Sequence, residues 1–504
     1  MTALIAAAVA VPLAGAALAV VLGGSLPAQR VVAVASVVAT TAASVGILVG
    51  TAGGEVTTVA VGDWDASSAG IVLVADLAAA LFLVVSMAAV LGVLLYAIGQ
   101  AAPGVDAPAF YPVYLVLTTG VSLVFLTGDL FTLFVAFELL LIASYVLLTL
   151  GRRGDQVRGA MTYVVINLLA GALFLATVAF VYASMGTVNL AVIAERFGDL
   201  PDPTALAIGL LLVVVFGIKA AVVPLYFWLP DAYPTAPTAI TAVFAGLLTK
   251  IGIYALIRTM TLFDLDRLGT LLLVVASVTM LLGVIGAIAQ DDIKRILSFH
   301  IVSQIGYMVL GIALFTVSGV AAAIFFTLHQ IPVKTALFLT GGLVEDRAGT
   351  SALRKVDGMA HTAPVVAVLF ALAAASLAGL PPLSGFVGKL GLLEAGVDAD
   401  ALVPVAVSLV ASLLTLVSMT KIWTQVFWGR PTVVAASAGP VGAPGGPARS
   451  RALMTGATAG VVGVTLAVAL FAQPLWSASV DAAEDLVDRG TYLSAVTGEV
   501  PDGP

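Results

Sequence analysis

The sequence predicts an all-α polytopic membrane protein of about fourteen transmembrane helices, with the seventh and twelfth broken. Three observations carry this. Of 504 residues, 61% are hydrophobic and only 10% charged, too few polar side chains to cover a water-facing surface. Apolar runs of about 20 residues recur from end to end, each long enough to cross roughly 30 Å of hydrocarbon as a helix. Stretches such as Leu210 to Val215 and Leu271 to Val275 are apolar on every face, whereas the strands of a membrane barrel alternate.

In chain order the spans fall at 2–22, 31–50, 70–99, 110–127, 130–150, 159–184, 205–223, 237–261, 268–289, 293–316, 318–344, 363–397, 402–429 and 452–472. The first lacks the basic n-region of a signal peptide and reads as a membrane helix. Twelve basic residues lie in the odd-numbered loops: Arg30, Arg152, Arg153, Arg158, Lys294, Arg295, Arg347, Arg354, Lys355, Arg430, Arg449 and Arg451. Only Arg196, Arg267 and Arg489 lie in the even loops and tail. The positive-inside rule then puts both termini outside the cytoplasm. The even loops and tail are acidic instead, with Glu55, Asp63, Asp65, Glu195, Asp199, Asp202, Asp398, Asp400, Glu484 and Asp485. Residues 431–450 are rich in Pro, Gly and Ala and read as a flexible cytoplasmic linker. Beyond residue 475, an amphipathic stretch around Val480, Leu486, Val487 and Tyr492 is expected along the outer interface or against a partner.

The absence of cysteine excludes disulfides, a Cys-ligated iron–sulfur cluster and a thiolate zinc site. Three scattered histidines, His300, His329 and His361, do not suggest a bis-His haem, and no Gly-rich phosphate loop leads into a Lys-Ser or Lys-Thr pair. No cofactor, and no ATP hydrolysis, is expected. Nor do the spans hold the cluster of carboxylates and hydroxyls that would cage a dehydrated Na+.

The remaining basic residues fall inside spans: Lys219, Lys250, Arg258, Lys334, Lys389 and Lys421. Arginine outnumbers lysine fourteen to seven over the whole chain, yet five of these six are lysine. Arginine keeps its proton under almost any condition, whereas a buried lysine can release one. At about 2.5–3.5 kcal/mol for each lysine at a helix centre, a structural protein has little reason to carry five. Arg258 and Lys421 sit near span ends and can snorkel; Lys219, Lys250 and Lys389 cannot easily do so. Glu138 is the one carboxylate well inside a span and reads as half of an ion pair with a lysine of another helix. Asp129 reads as the N-cap of that helix, and Asp76, at a span end, is expected to face water. His300 is expected to pack near the cytoplasmic interface, and His361 falls in a cytoplasmic loop.

Helix breakers flank two of the lysines. Pro224 and Pro230 follow Lys219, and the Gly379–Pro382 break precedes Lys389. Broken helices in corresponding places point to a transporter built from inverted repeats.

At these residues the chain resembles the antiporter-like membrane subunits of respiratory complex I and, more closely, the D-type subunit of the Mrp-type multisubunit Na+/H+ antiporters. The matching stretches are DLFTLFVAFELLLIASYVLL, IKAAVVPLYFWLPDAYPTAPTAITAVFAGLLTKIGIYALIR, DDIKRILSFHIVSQIGYM, the HQIPVKTALFLTGG block and GLPPLSGFVGK, spread over about residues 70–430. Length favours the D-type over the longer A-type member, and Lys389 separates the chain from a similar complex I subunit that carries Glu there. The resemblance implies helices 1–3 over 1–109, two inverted five-helix repeats over 110–261 and 268–429, the linker over 430–451, and a last helix with an external tail over 452–504. It implies that Glu138 pairs with Lys219, and that Lys250, His329, Lys334 and Lys389 continue a hydrated proton path along the membrane plane. The family often carries His four residues before Lys334, where this chain has Gln330, with His329 one residue earlier. It further implies a secondary active transporter rather than an enzyme: a proton-translocating subunit that exchanges Na+ (or another monovalent cation) for H+ in the bacterial plasma membrane. Its partners would be the A, B, C, E, F and G members of such a complex and the surrounding lipid. The alternative is a redox-driven pump subunit of complex I or of a membrane-bound hydrogenase.

Overall fold

The computed structural model describes residues 1–62, 70–100, 105, 107–151, 154–429 and 448–498. Asp63, Asp65, Arg152, Arg153, Arg430 and linker residues 431–447 lie outside them, as does the side chain of Arg449. The end of the expected linker, from Ala448, is already helical.

The helices are α1 (Thr2–Val21), α2 (Leu26–Thr51), α3 (Leu77–Gln100), α4 (Phe110–Leu126), α5 (Leu130–Thr149), α6 (Gly154–Met185), α7 (Leu190–Phe197), α8 (Asp202–Ala220), α9 (Trp228–Ala232), α10 (Thr238–Val243), α11 (Thr249–Leu262), α12 (Gly269–Ile288), α13 (Ile293–Ala313), α14 (Val317–Ala348), α15 (Met359–Thr362), α16 (Pro364–Ala378), α17 (Ser384–Asp398), α18 (Leu402–Ile422), α19 (Ala448–Leu470), α20 (Ala472–Asp488) and α21 (Gly490–Thr497). Among the described residues, twelve spans are long and apolar enough to cross a bilayer. The shorter apolar helices α4 and α16 fall at the fourth and twelfth expected positions.

Burial ranks the helices from centre to rim. The apolar window of α14 is wholly buried, whereas only 33% of that of α1 is buried. Rim helices turn Leu13 and Leu18, or Leu409, Val410 and Leu413, outward, as a chain dissolved in lipid requires. Pro332 leaves α14 unbroken, because the helices packed around it hold it in place.

One expected span begins differently. Residues 71–75 form β2 (Ile71–Ala75), paired antiparallel with β1 (Thr57–Val61) in the register Thr57 with Ala75. The run IVLVA is rich in β-branched residues, so the chain pairs before it enters α3. The hairpin is fastened below: Gly128 N–H donates to the Val72 carbonyl at 2.7 Å, and Asp129 caps α5 by accepting from Thr132 N–H at 2.6 Å.

Contacts sort the connections onto two faces. The hairpin, the 186–201 and 263–268 segments, α20 and α21 meet on an acidic face, where Arg489 reaches Asp264 at 3.4 Å. The opposite, basic face joins Arg295 to Asp231 (3.4 Å), Arg354 to Asp291 (2.9 Å) and Arg451 to Asp346 (3.0 Å). The structure places the amphipathic tail on its own chain: α20 lies against α14 and α3 with Leu486 buried, and Tyr492 of α21 is buried against Arg258 of α11.

Candidate functional site

Helix α8 stops at Ala221, which takes a left-handed φ of 62°, and the chain runs without a long helix to Trp228. Pro230 sits inside the short α9 rather than at a break, because a proline fits the first turn of a helix. Lys219 lies in the last turn of α8, 4% exposed, and its Nζ donates to the Asn167 carbonyl of α6 at 3.5 Å. The Phe137 ring of α5 lies 5.8 Å from the same nitrogen.

Glu138 follows Phe137 but does not close on the lysine. Its Oε1 is buried without a hydrogen-bond partner and points at Gly171 of α6, where a Cβ would collide with it. Asn167 and Gly171 are one turn apart on α6, so that helix seats the ammonium and the carboxylate separately. The two act on each other electrostatically, but among the described residues no direct ion pair joins them. The expected pair is therefore an open one.

The eighth span is interrupted. A π turn, Phe244–Leu248, lies between α10 and α11, and Lys250 turns back to donate to the Ala245 carbonyl within it at 2.5 Å. Single π turns inside α-helices expose such carbonyls and recur at functional sites. Gly252 lets α11 approach the backbone of Lys219 and Ala220 closely: a Cβ there would lie 2.7 Å from Ala220 N. Gly246 lies against Thr335 of α14. Lys250 is thus set between the end of α8 and the central helix.

On α14, Lys334 is fully buried and its Nζ has no hydrogen-bond partner. His329 faces α17, with Nδ1 2.9 Å from Ser384 Oγ. Gln330 faces α13 instead and donates to Gln304 Oε1 at 3.3 Å. Helix α16 ends at Gly379 with φ 87°, and Lys389 of α17 reaches back across the break to the Ala378 carbonyl at 2.9 Å. That carbonyl lies at the C-terminal, partially negative end of α16, where intrahelical donors run out. Lys389 also donates to Ser412 Oγ of α18 at 2.9 Å, with the Tyr307 ring 5.3 Å away. Lys334 senses the charges of both Lys250 and Lys389, and each of His300 and His329 senses Lys334 and Lys389.

Two edge residues are corrected. Asp76 does not face water, and Arg258 does not snorkel. They form a buried bidentate ion pair, each side chain 6% exposed, with Arg258 stacked between the rings of Tyr254 (5.4 Å) and Tyr492 (5.3 Å). Lys421 reaches the basic face, donating to the Ile288 and Gln290 carbonyls and to Asp291 at 3.0 Å. Its ammonium draws the exposed Asp291 carboxyl below the usual carboxylate range. Lys294, counted from the sequence as a loop residue, is buried in the first turn of α13 on Glu345 at 2.6 Å. His300 packs and hydrogen-bonds, but deeper than expected: it is fully buried, two turns into α13, with Nε2 2.9 Å from Ser418 Oγ of α18. His361 is in the short α15 on the basic face. Sequence reading missed Tyr307, Ser384, Ser412 and the Gln304–Gln330 pair, because uncharged side chains are not conspicuous in an apolar span; only the break beside Ser384 marked the neighbourhood.

A buried row of lysines on broken and π-interrupted helices of a polytopic bundle defines an ion-translocating membrane subunit. Residues 127–415 match the family described as NADH:quinone oxidoreductase/Mrp antiporter, TM. The chain is 41% identical over 478 residues, 94% of each chain, to the D subunit of the Na(+)/H(+) antiporter of Alkalihalophilus pseudofirmus. It is 39% identical over 378 residues to the D subunit of the Na(+)/H(+) antiporter of Bacillus subtilis, covering 74% of this chain and 76% of that one. Among solved structures, a chain of the Mrp complex from Dietzia sp. superposes with a TM-score of 0.90 at 36% identity, covering 98% of this chain and 100% of that one. A chain of the membrane-bound sulfane sulfur reductase, an archaeal respiratory complex, superposes with a TM-score of 0.87 at 26% identity, covering 98% and 99%. The chain belongs to the NADH:quinone oxidoreductase/Mrp antiporter family, within the branch formed by the D subunits of Na+/H+ antiporters.

Proposed function

We propose that the chain is the proton-translocating component of a multisubunit antiporter that exchanges cytoplasmic Na+, or another monovalent cation, for external H+ under the proton-motive force. One contrast carries this reading. Arg258, Lys294 and Lys421 each hold a carboxylate in direct contact, whereas Lys219, Lys250 and Lys389 rest on carbonyl or hydroxyl oxygens and Lys334 on none. A buried ammonium clamped by a carboxylate is held charged; one resting on neutral dipoles can give up its proton. Protons step from Glu138 and Lys219 through Lys250 and Lys334, with His329 alongside, to Lys389.

Two inverted five-helix repeats, 110–261 and 268–429, organise that path, flanked by 1–109 and closed by 452–504. Two features recur at matching places and support the division. The fourth helix of each unit is broken beside a lysine, at 221–227 and 379–383, and the fifth carries a π turn, Phe244–Leu248 and Trp423–Phe427. The basic face lies on the cytoplasmic side of the bacterial plasma membrane, with both termini outside, and the A, B, C, E, F and G members complete the complex.

The test is Glu138→Gln, which keeps the volume and removes the charge. Everted vesicles carrying the assembled complex should show slow Na+-induced proton movement with a pH-sensitive dye. Wild-type rates from a fully assembled variant across pH 7 to 9 would overturn the assignment of the path.

A further inference from the structure

One buried titratable group outside the proposed lysine path is His300. His300 is on α13, seven residues from Ile293 and so about 10 Å from the basic face. The packing of Gly341 of α14 on Ile293 and Leu297 sets the register of the two antiparallel helices. Seven residues in from each contact, Lys334 and His300 come to one level. One turn deeper on both, at i+4 from His300 and i−4 from Lys334, the Gln304–Gln330 amide pair joins the helices. His300 Nδ1, Lys334 Nζ, Gln304 Nε2 and Gln330 Oε1 are all buried without a protein partner. Unpartnered polar atoms in an apolar interior are costly, and four grouped between two helices form a setting for bridging water. The other imidazole nitrogen, Nε2, turns away from the row, 2.9 Å from Ser418 Oγ. Lys421 lies one turn beyond Ser418 on α18 and, with Asp291 and Arg354, forms a charged cluster on the basic face.

Resting on the proposed proton path, we infer that His300 and Ser418 form a side branch that exchanges protons between Lys334 and the basic face. In one passage Nδ1 takes a proton that has left Lys334 Nζ, and Nε2 gives its own to Ser418 Oγ. The serine hydroxyl proton moves on to solvent at the basic face, and a reorientation of the ring that exchanges the sides of its two nitrogens readies the new Nδ1–H tautomer for the next passage, in which Nε2 takes and Nδ1 gives. Lys421, whose three donors are all engaged, is a fixed post in this cluster rather than a carrier. The charged groups that act on His300 are Lys334 of α14 and Lys389 of α17; α12 and α16 carry no titratable side chain, and α18 carries only Lys421.

The experiment uses the whole complex in everted vesicles, with His300→Gln, Ser418→Ala, Ser418→Thr and, as a control for the path itself, Lys219→Ala. Assembly and thermal stability are measured in parallel. With lumenal pH fixed, the wild-type rate should change as the pH on the basic face is varied. His300→Gln and Ser418→Ala should assemble, lose tenfold or more in rate and lose that dependence, while Ser418→Thr, which keeps a hydroxyl, should retain both. A His300→Gln variant with wild-type rate and pH response, beside a dead Lys219→Ala, would overturn the branch and leave the path standing. Full activity in Lys219→Ala would overturn the path. Equal behaviour of Ser418→Ala and Ser418→Thr would show that the hydroxyl carries nothing, and would sink the branch as well.

Discussion

Replacing Asp76 with Asn deletes a charge at nearly constant shape, and its surroundings set the cost. The carboxylate accepts two guanidinium N–H groups of Arg258 and also the Ala79 N–H at 2.8 Å, which caps the start of α3. Asparagine keeps an oxygen for the cap but leaves the guanidinium without its counter-charge between two tyrosine rings. Breaking one side of a buried pair costs about 3–5 kcal/mol. Asp76→Ala should cost about 1 kcal/mol more, for the lost cap. Removing both charges in Asp76→Asn with Arg258→Met should recover much of the loss, because no buried charge is then left alone. The coupling should therefore reach about 2 kcal/mol or more in a double-mutant cycle. The assay is reversible unfolding of the chain in mild detergent by added SDS. A coupling below about 0.5 kcal/mol, the range of exposed pairs, would refute the view that this pair locks α11, α3 and the C-terminal helices together.

Lys219→Arg should be nearly as damaging to exchange as Lys219→Ala although the complex assembles, because charge is kept but the releasable proton is lost; near wild-type flux would make the site a fixed charge. Gly171→Ala should slow exchange much as Glu138→Gln does, since the new methyl occupies the space of Glu138 Oε1; unchanged dye traces would show that the carboxylate can move away at no cost. Gly252→Ala should lower both stability and flux, because the colliding atoms are backbone of α8 and cannot swing aside; its assembly level on native gels is the first readout. The purified chain, reconstituted alone, should not exchange cations for protons, and robust coupled flux in such vesicles would contradict its dependence on partner proteins.

Composition and local chemistry were enough to settle the solvent, the helical class and most of the costly charges. Long apolar runs can only cross a bilayer as helices, and an ionisable side chain inside one is conspicuous whatever its partner. Glu138, Lys219, Lys250, Lys334 and Lys389 were legible for that reason, as were the breaks around Pro224 and Gly379–Pro382 and the Asp129 cap, which are local matters of backbone chemistry. Pairing was not local. Asp76 and Arg258 are 182 residues apart, and nothing in either span says that one neutralises the other. The gap between Glu138 and Lys219 is set by Asn167 and Gly171 on a third helix, and the π turns at 244–248 and 423–427 leave no periodic mark in uniformly apolar segments. His300 and Lys294 sat too near a loop to stand out. Their burial depends on α14, α17 and α18 closing around α13, which the chain settles only when all the helices pack together.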